Sequence, residues 1–193
     1  TVAGLIFCDV PGEHYDVVAS GPTYYDETTA RDAQELLEKY NITETFEFTE
    51  TPKDKKFFER VINVPVVSNV HAMNAMTAKA TALGYIVHTL GAEMYDAPED
   101  VIKKMIQTIT PKSVVLGAGE PRLIIKDGGG IGGRNEYVSS LMIPSLPENS
   151  VFISYASDGI DNCSIAAGGI IDQLTKEQAM KLEKTVEAYL KDY

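Results

Sequence analysis

The chain has 193 residues, 44% of them hydrophobic and 23% charged, enough for one substantial buried core. Its formal net charge of −11 and pI of about 4.7 argue against nucleic acid or an anionic membrane as a partner, because a phosphate backbone needs a basic face. No apolar run approaches the roughly 18 residues of a membrane span, no basic-then-apolar leader opens the chain, and Cys8 and Cys163 stand far apart in no metal-ligand spacing, so a soluble, cytoplasmic protein with free thiols is expected.

Val2 to Cys8 is a continuous apolar run ending at Asp9, the pattern of a strand covered on both faces. Val17 to Thr23 follows, centred on Ser20, Gly21 and Pro22; these small residues suit either a ligand loop contacted through Ser20 and Gly21 or a plain turn. Thr29, with Asp32 three residues on, reads as a helix start, and Ala33, Leu36, Leu37 and Tyr40 form its apolar stripe. Residues 43–56 are polar and predict a surface loop, after which Phe57, Phe58, Val61 and Ile62 rejoin the core. Val64 to Ser68, a helix from Asn69 to Leu83, and Tyr85 to Leu90 predict one βαβ unit with a right-handed crossover. Met73 and Met76 on that helix are read as core filler, and His71 and His88 as packing or surface residues.

Asp96-Ala97-Pro98-Glu99 opens another helix, with Val101, Ile102, Met105, Ile106 and Ile109 at helical spacing. The strand-like runs Ser113 to Gly117 and Arg122 to Lys126 are joined only by Ala118-Gly119-Glu120-Pro121, which is too short for a crossover helix and predicts an antiparallel pair. Beyond a glycine cluster come a helix (Asn135 to Leu141), a buried strand (Val151 to Ala156), a turn (Ser157 to Asp161) and a further strand (Ala166 to Asp172). A capping box at Thr175 predicts a last helix with Ala179, Leu182, Val186, Tyr189 and Leu190 inward. The whole predicts a single α/β domain over residues 1–193, with a mixed, mainly parallel sheet covered by helices on both faces.

The cluster Gly128-Gly129-Gly130-Ile131-Gly132-Gly133-Arg134-Asn135 carries the chemistry. Glycine backbone turns its N–H groups toward one point without Cβ obstruction, and the Arg134 guanidinium suits carboxylate or phosphate. Three readings follow: a phosphate site, a dinucleotide turn through Gly128, Gly130 and Gly133, or a loose connection. Phosphate capture explains more, since backbone donors, Arg134 and a helix N-terminus all favour negative charge. The match to G-x-G-x-x-G is nearly automatic in so glycine-rich a stretch. Asp158 and Asp161, beyond the end of a strand, suit Mg²⁺ or its waters, or else ordinary turn chemistry. With Asp9 and Glu120 they form a set of acids fit for phosphoryl transfer, and no P-loop or G-x-S-x-G motif is present.

Asp9-Val10-Pro11-Gly12, Ala19-Ser20-Gly21-Pro22-Thr23, Thr51-Pro52-Lys53, Gly132-Gly133-Arg134-Asn135, and Ser157-Asp158-Gly159-Ile160-Asp161 followed by Ala166-Ala167-Gly168 occur in that order. In this they resemble the motifs of class II glycerate kinases, also called glycerate 2-kinases, over the C-terminal half that includes the MOFRL domain. The resemblance implies ATP- and Mg²⁺-dependent phosphorylation of glycerate, in a cleft shared with a Rossmann-like N-terminal domain that this chain lacks. It implies a catalytic Arg134, substrate or phosphate contacts from Ser20, Gly21, Glu120, Gly129, Gly130, Gly132, Gly133 and Asn135, and Mg²⁺ at Asp158 and Asp161. Little activity is expected of the chain alone, and a homodimer is kept as an oligomeric option. The chain departs from the family pattern at Ala118-Gly119-Glu120-Pro121, at Glu136-Tyr137 and at Asn162-Cys163-Ser164. The alternatives are an NAD(P)-dependent hydroxypyruvate reductase, a name also used in the family, and a ligand-binding module without chemistry.

Overall fold

The computed structural model describes residues 1–125, 131–162, 164–182 and 185–190. The expectations at Lys126, Gly128, Gly129, Gly130 and Cys163 lie outside the described residues, as does that for the Tyr189 side chain. The fold is mixed α/β, and the chain that read as a single domain divides into two compact units, Thr1–Ala72 and Met73–Tyr193.

In the first unit β1 (Val2–Phe7) pairs in parallel with β2 (Val61–Val67), running from Val2 opposite Val61 to Phe7 opposite Val67. A parallel pair needs a long connection, and here it contains α1 (Ala30–Lys39). The register slips between Ile6 and Phe7, next to Pro65, which has no N–H for the ladder and is tolerated in a sheet only at such irregularities or edges. Helix α1 starts where the sequence places it. Thr29 accepts from the Asp32 N–H while the Asp32 carboxylate accepts from the Thr29 N–H, a closed capping box. Cys8 is a buried free thiol.

Helix α2 (Asn69–Ala82) carries the chain into the second unit. There β3 (Ile86–Thr89) and β4 (Ser113–Leu116) pair in parallel around α3 (Pro98–Thr108). Further along, α4 (Arg134–Ser145) precedes β5 (Phe152–Tyr155), which pairs antiparallel with β6 (Gly168–Ile171). Two short helices close the described chain, α5 (Gln173–Ala179) and α6 (Val186–Leu190). Ile102 of α3, Val138 and Met142 of α4, Leu146, Phe152 and Ile171 make the buried core, with Met105, Ile106, Leu141 and Ile143 packed against it. Met73 is buried, as expected of core filler. Among the described residues no helix is long and apolar enough to cross a membrane.

Three local expectations are corrected. The predicted β2–α2–β3 unit does not pair: β2 takes β1 and β3 takes β4, so each parallel pair closes around a different helix. The predicted hairpin through Glu120 does not form either. Ala118, Glu120 and Arg122 instead donate their N–H groups to Gly91, Met94 and Asp96, extending the β3–β4 direction. Residues 121–125 form no strand and Ile124 and Ile125 stay exposed; the antiparallel pair is β5–β6. Finally, α5 is capped by Asp172, whose carboxylate accepts from the Thr175 N–H, and not by Thr175 itself.

Candidate functional site

The site is built on the N-terminus of α4. The first turn of any helix leaves N–H groups without intrahelical partners, and the residue at this cap position, Gly133, has no side chain to offer. Asp161, on the loop after β5, supplies the cap from 26 residues away. Its Oδ1 accepts from the Asn135 backbone N–H at 3.2 Å and from Asn135 Nδ2 at 2.9 Å. Its Oδ2 accepts from the Glu136 N–H at 2.7 Å. Only 2% of Asp161 is exposed, and a Cβ on Gly133 would overlap its carboxylate. Glycine is therefore required at 133 by the close approach of the cap.

Further bonds tie the same turn to β5 and its loop. Ser154 of β5 donates to Asn135 Oδ1 at 2.7 Å. Asn162 Nδ2 donates to the Gly132 carbonyl at 2.9 Å, and Ser164 Oγ to Glu136 Oε1 at 3.0 Å. Gly132, Gly133, Arg134, Asn135 and Asp161 are thus brought together. The side chain that emerges from this fixed turn is Arg134, 45% exposed, with its guanidinium nitrogen 2.8 Å from Glu120 Oε1. Beside it, Tyr137 has its phenol pKa raised, chiefly by burial and then by the charge of Glu99.

Asp158 differs from Asp161. It is exposed, and its Oδ1 accepts the Ile160 N–H at 3.2 Å across Gly159, which sits at φ 90. Among the described residues no three His, Cys, Asp or Glu side chains are grouped so as to hold a metal ion. Ser20 and Gly21 belong to the first unit, in a left-handed turn with Ala19, at φ 50, 63 and 59 for Ala19, Ser20 and Gly21. A Cβ on Gly21 would run into the Asp16 carbonyl, so this turn also needs its glycine. Gly129 and Gly130 lie outside the described residues. Sequence reasoning missed Ser154, Asn162 and Ser164. For Ser154 a signal existed: it shares a strand face with Phe152, and a hydroxyl on the buried face of a strand needs a partner.

Residues 113–193 match the MOFRL family, and residues 1–49 match a domain of unknown function, DUF4147. The chain matches the C-terminal half of glycerate 2-kinases. It is 28% identical to the glycerate 2-kinase of Pyrococcus horikoshii over 98% of its own length and 48% of that protein's. To the D-glycerate 2-kinase of Thermotoga maritima it is 30% identical, covering 99% of itself and 49% of that protein. The crystal structure of glycerate kinase from Thermotoga maritima superposes with a TM-score of 0.85 at 26% identity, covering 100% of this chain and 50% of that one. The chain therefore spans about half the length of these relatives.

Proposed function

We propose that this chain supplies one wall of the active-site cleft of an ATP-dependent glycerate 2-kinase, the remainder coming from an N-terminal half such as its relatives possess. The observation that carries the reading is Arg134: a half-exposed guanidinium on a helix turn whose backbone is fixed by the buried Asp161 carboxylate. Phosphoryl transfer asks of the protein mainly positioning and charge stabilisation, and a pinned guanidinium supplies both. Bound ATP would provide the γ-phosphoryl group, and Mg²⁺ would neutralise charge on its oxygens.

One of the two candidate metal carboxylates is open to that use. Mg²⁺ keeps several waters and commonly takes one or two carboxylates beside substrate phosphates, which an exposed Asp158 can offer. Asp161 serves the same site by holding the 157–164 loop to α4, since both its oxygens already accept N–H groups. The backbone of Gly129 to Gly133 and the Arg134 guanidinium would bind oxyanions of phosphate or of the glycerate carboxylate, with Asn135 fixing the turn. Ser20 and Gly21 are candidate oxyanion contacts of the first unit. The reductase reading is weaker, because residues 121–125 form no strand to lead into the glycine cluster, and a dinucleotide fingerprint needs one. A cytoplasmic location goes with this proposal.

Arg134→Ala in the full-length gene product tests it. Glycerate-dependent ADP formation is expected to fall about 100-fold or more in kcat, the scale of losing a preorganised charge-stabilising donor. Unchanged kinetics would remove Arg134 from the chemistry, and hydroxypyruvate-dependent NADH oxidation without kinase activity would replace the kinase reading altogether.

A further inference from the structure

Arg134 carries a counter-charge already, and its setting defines what that charge can do. The Glu120 carboxylate stands 2.8 Å from the guanidinium, and the two side chains are 49% and 45% exposed. Both backbones are tied to their surroundings by hydrogen bonds. Glu120 donates its N–H to the Met94 carbonyl at 2.8 Å, in a segment held on either side by Ala118 N–H to Gly91 and Arg122 N–H to Asp96. Arg134 sits on the turn capped by Asp161. The half-exposed side chains are the parts least constrained.

The surrounding charges are committed elsewhere. Asp161 is buried on the α4 amides, Glu136 accepts from Ser164 Oγ, and Asp158 accepts from the Ile160 N–H. Arg122, two residues from Glu120, lies over the Tyr95 ring at 5.5 Å. Lys104 pairs with Asp96 at 2.7 Å. Among the described residues Glu120 is the acid that meets Arg134.

We infer that Glu120 is a built-in competitor for the Arg134 anion site: its carboxylate holds the place that a ligand oxyanion takes, and it swings aside when that ligand binds. This rests on Arg134 being an oxyanion contact, as proposed above. A half-exposed pair is weak enough to exchange, while a carboxylate left close by repels any anion that arrives singly charged and without a better geometry. A ligand presenting two oxygens to the guanidinium fork displaces it. Glu120 thus weakens the hold of any anion on Arg134 by a few fold and favours one that engages the fork with two oxygens, and it acts as a specificity residue and not as a ligand contact. The oxyanion is either a phosphate or the carboxylate of a hydroxy acid; the two share this chemistry.

The test is calorimetric titration of the intact chain with inorganic phosphate and, separately, with D-glycerate, at low and constant ionic strength. Wild type, Glu120→Gln, Glu120→Ala and Arg134→Met are compared after circular dichroism confirms folding. Both Glu120 variants are expected to bind about three- to fivefold tighter than wild type, the range of an exposed ion pair, and the gain should shrink at high salt. A gain for phosphate alone assigns the position to a phosphoryl oxygen; a gain for glycerate alone assigns it to the carboxylate. Equal or weaker binding by the Glu120 variants, or no binding by wild type and variants alike, overturns the inference. Wild-type affinity in Arg134→Met has a different meaning: it removes Arg134 from the site and the reading above with it.

Discussion

The two units are held together by different forces. In Met73–Tyr193, side chains from α3, α4, β5 and β6 close a continuous apolar core in which Val138 and Leu146 are each 2% exposed. In Thr1–Ala72 the strand pair buries Ile6 and Cys8, while Leu5 at 66% and Phe7 at 65% exposure face outward, and α1 buries no residue. Beside the Tyr25–Phe58 and Phe46–Phe48 ring contacts, polar contacts tie its loops. Lys53 Nζ donates to the Asp26 carbonyl at 2.9 Å, to Thr51 Oγ1 at 2.6 Å and to the Thr28 carbonyl, tying the 43–56 loop back to the start of α1. Glu50 adds an acceptor for the Ala30 N–H at 2.8 Å. The helix bearing Arg134 therefore rests on apolar burial, which is hard to deform, whereas the turn bearing Ser20 and Gly21 belongs to a unit with a smaller apolar core and more exchangeable hydrogen bonds.

Truncating the core is the strongest way to probe that contrast. Phe152→Ala should cost about 3–5 kcal/mol, the usual range for deleting a buried aromatic, in urea unfolding of the second unit followed by circular dichroism. Leu5→Ala, at a side chain already mostly in water, should stay within about 0.5 kcal/mol. Similar losses at the two positions would mean that Leu5 is covered in solution, and the contrast would fail.

A smaller effect is expected where the core meets the site. Asp161→Ala leaves the Asn135 and Glu136 N–H groups without their acceptor, at a cost of about 1–3 kcal/mol. Gly133→Ala should be of the same sign, because the added methyl and the carboxylate claim one space. Unfolding midpoints would measure both. If Asp161→Ala left stability unchanged while abolishing activity, Asp161 would be a ligand and not the cap that fixes Arg134.

Local chemistry was readable from the residues, and partnership was not. The Thr29–Asp32 box and the runs that became β1, β4, β5 and β6 lie where the sequence placed them, since caps and apolar runs are decided within a few residues; that β1 leaves Leu5 and Phe7 exposed was not expected of a strand read as covered on both faces. Which strand pairs with which is decided by distant chain. Val64 to Ser68 and Tyr85 to Leu90 are both strand-like, yet each found another partner. The run after Pro121 had the composition of a strand but spent its neighbouring N–H groups on Gly91, Met94 and Asp96. At the site, the ordered motifs singled out Gly133, Arg134 and Asp161, which the fold brings to one helix turn. They could not distinguish a carboxylate that caps a helix from one that waits for a metal, because that depends on which N–H groups arrive from 26 residues away.

The mildest probe is acid titration of the polar clasp in the first unit. Asp26 has its pKa lowered from 3.8 to about 2, first by the Thr28 hydroxyl and N–H, then by the Thr51 hydroxyl, and last by the charge of Lys53. A folded-state pKa below the unfolded value means stability fully present above pH 3.8 and lost as pH falls through about 2. The Thr28 amide resonance, whose N–H is given to Asp26 Oδ1 at 2.8 Å, should titrate with a midpoint near pH 2. Thr28→Val should move that midpoint upward further than Lys53→Met does, because hydrogen bonds outrank the lysine charge among the causes. The reverse order would mean that the clasp is an ion pair first and a hydrogen-bond network second, and its hold on the loop would then weaken with salt.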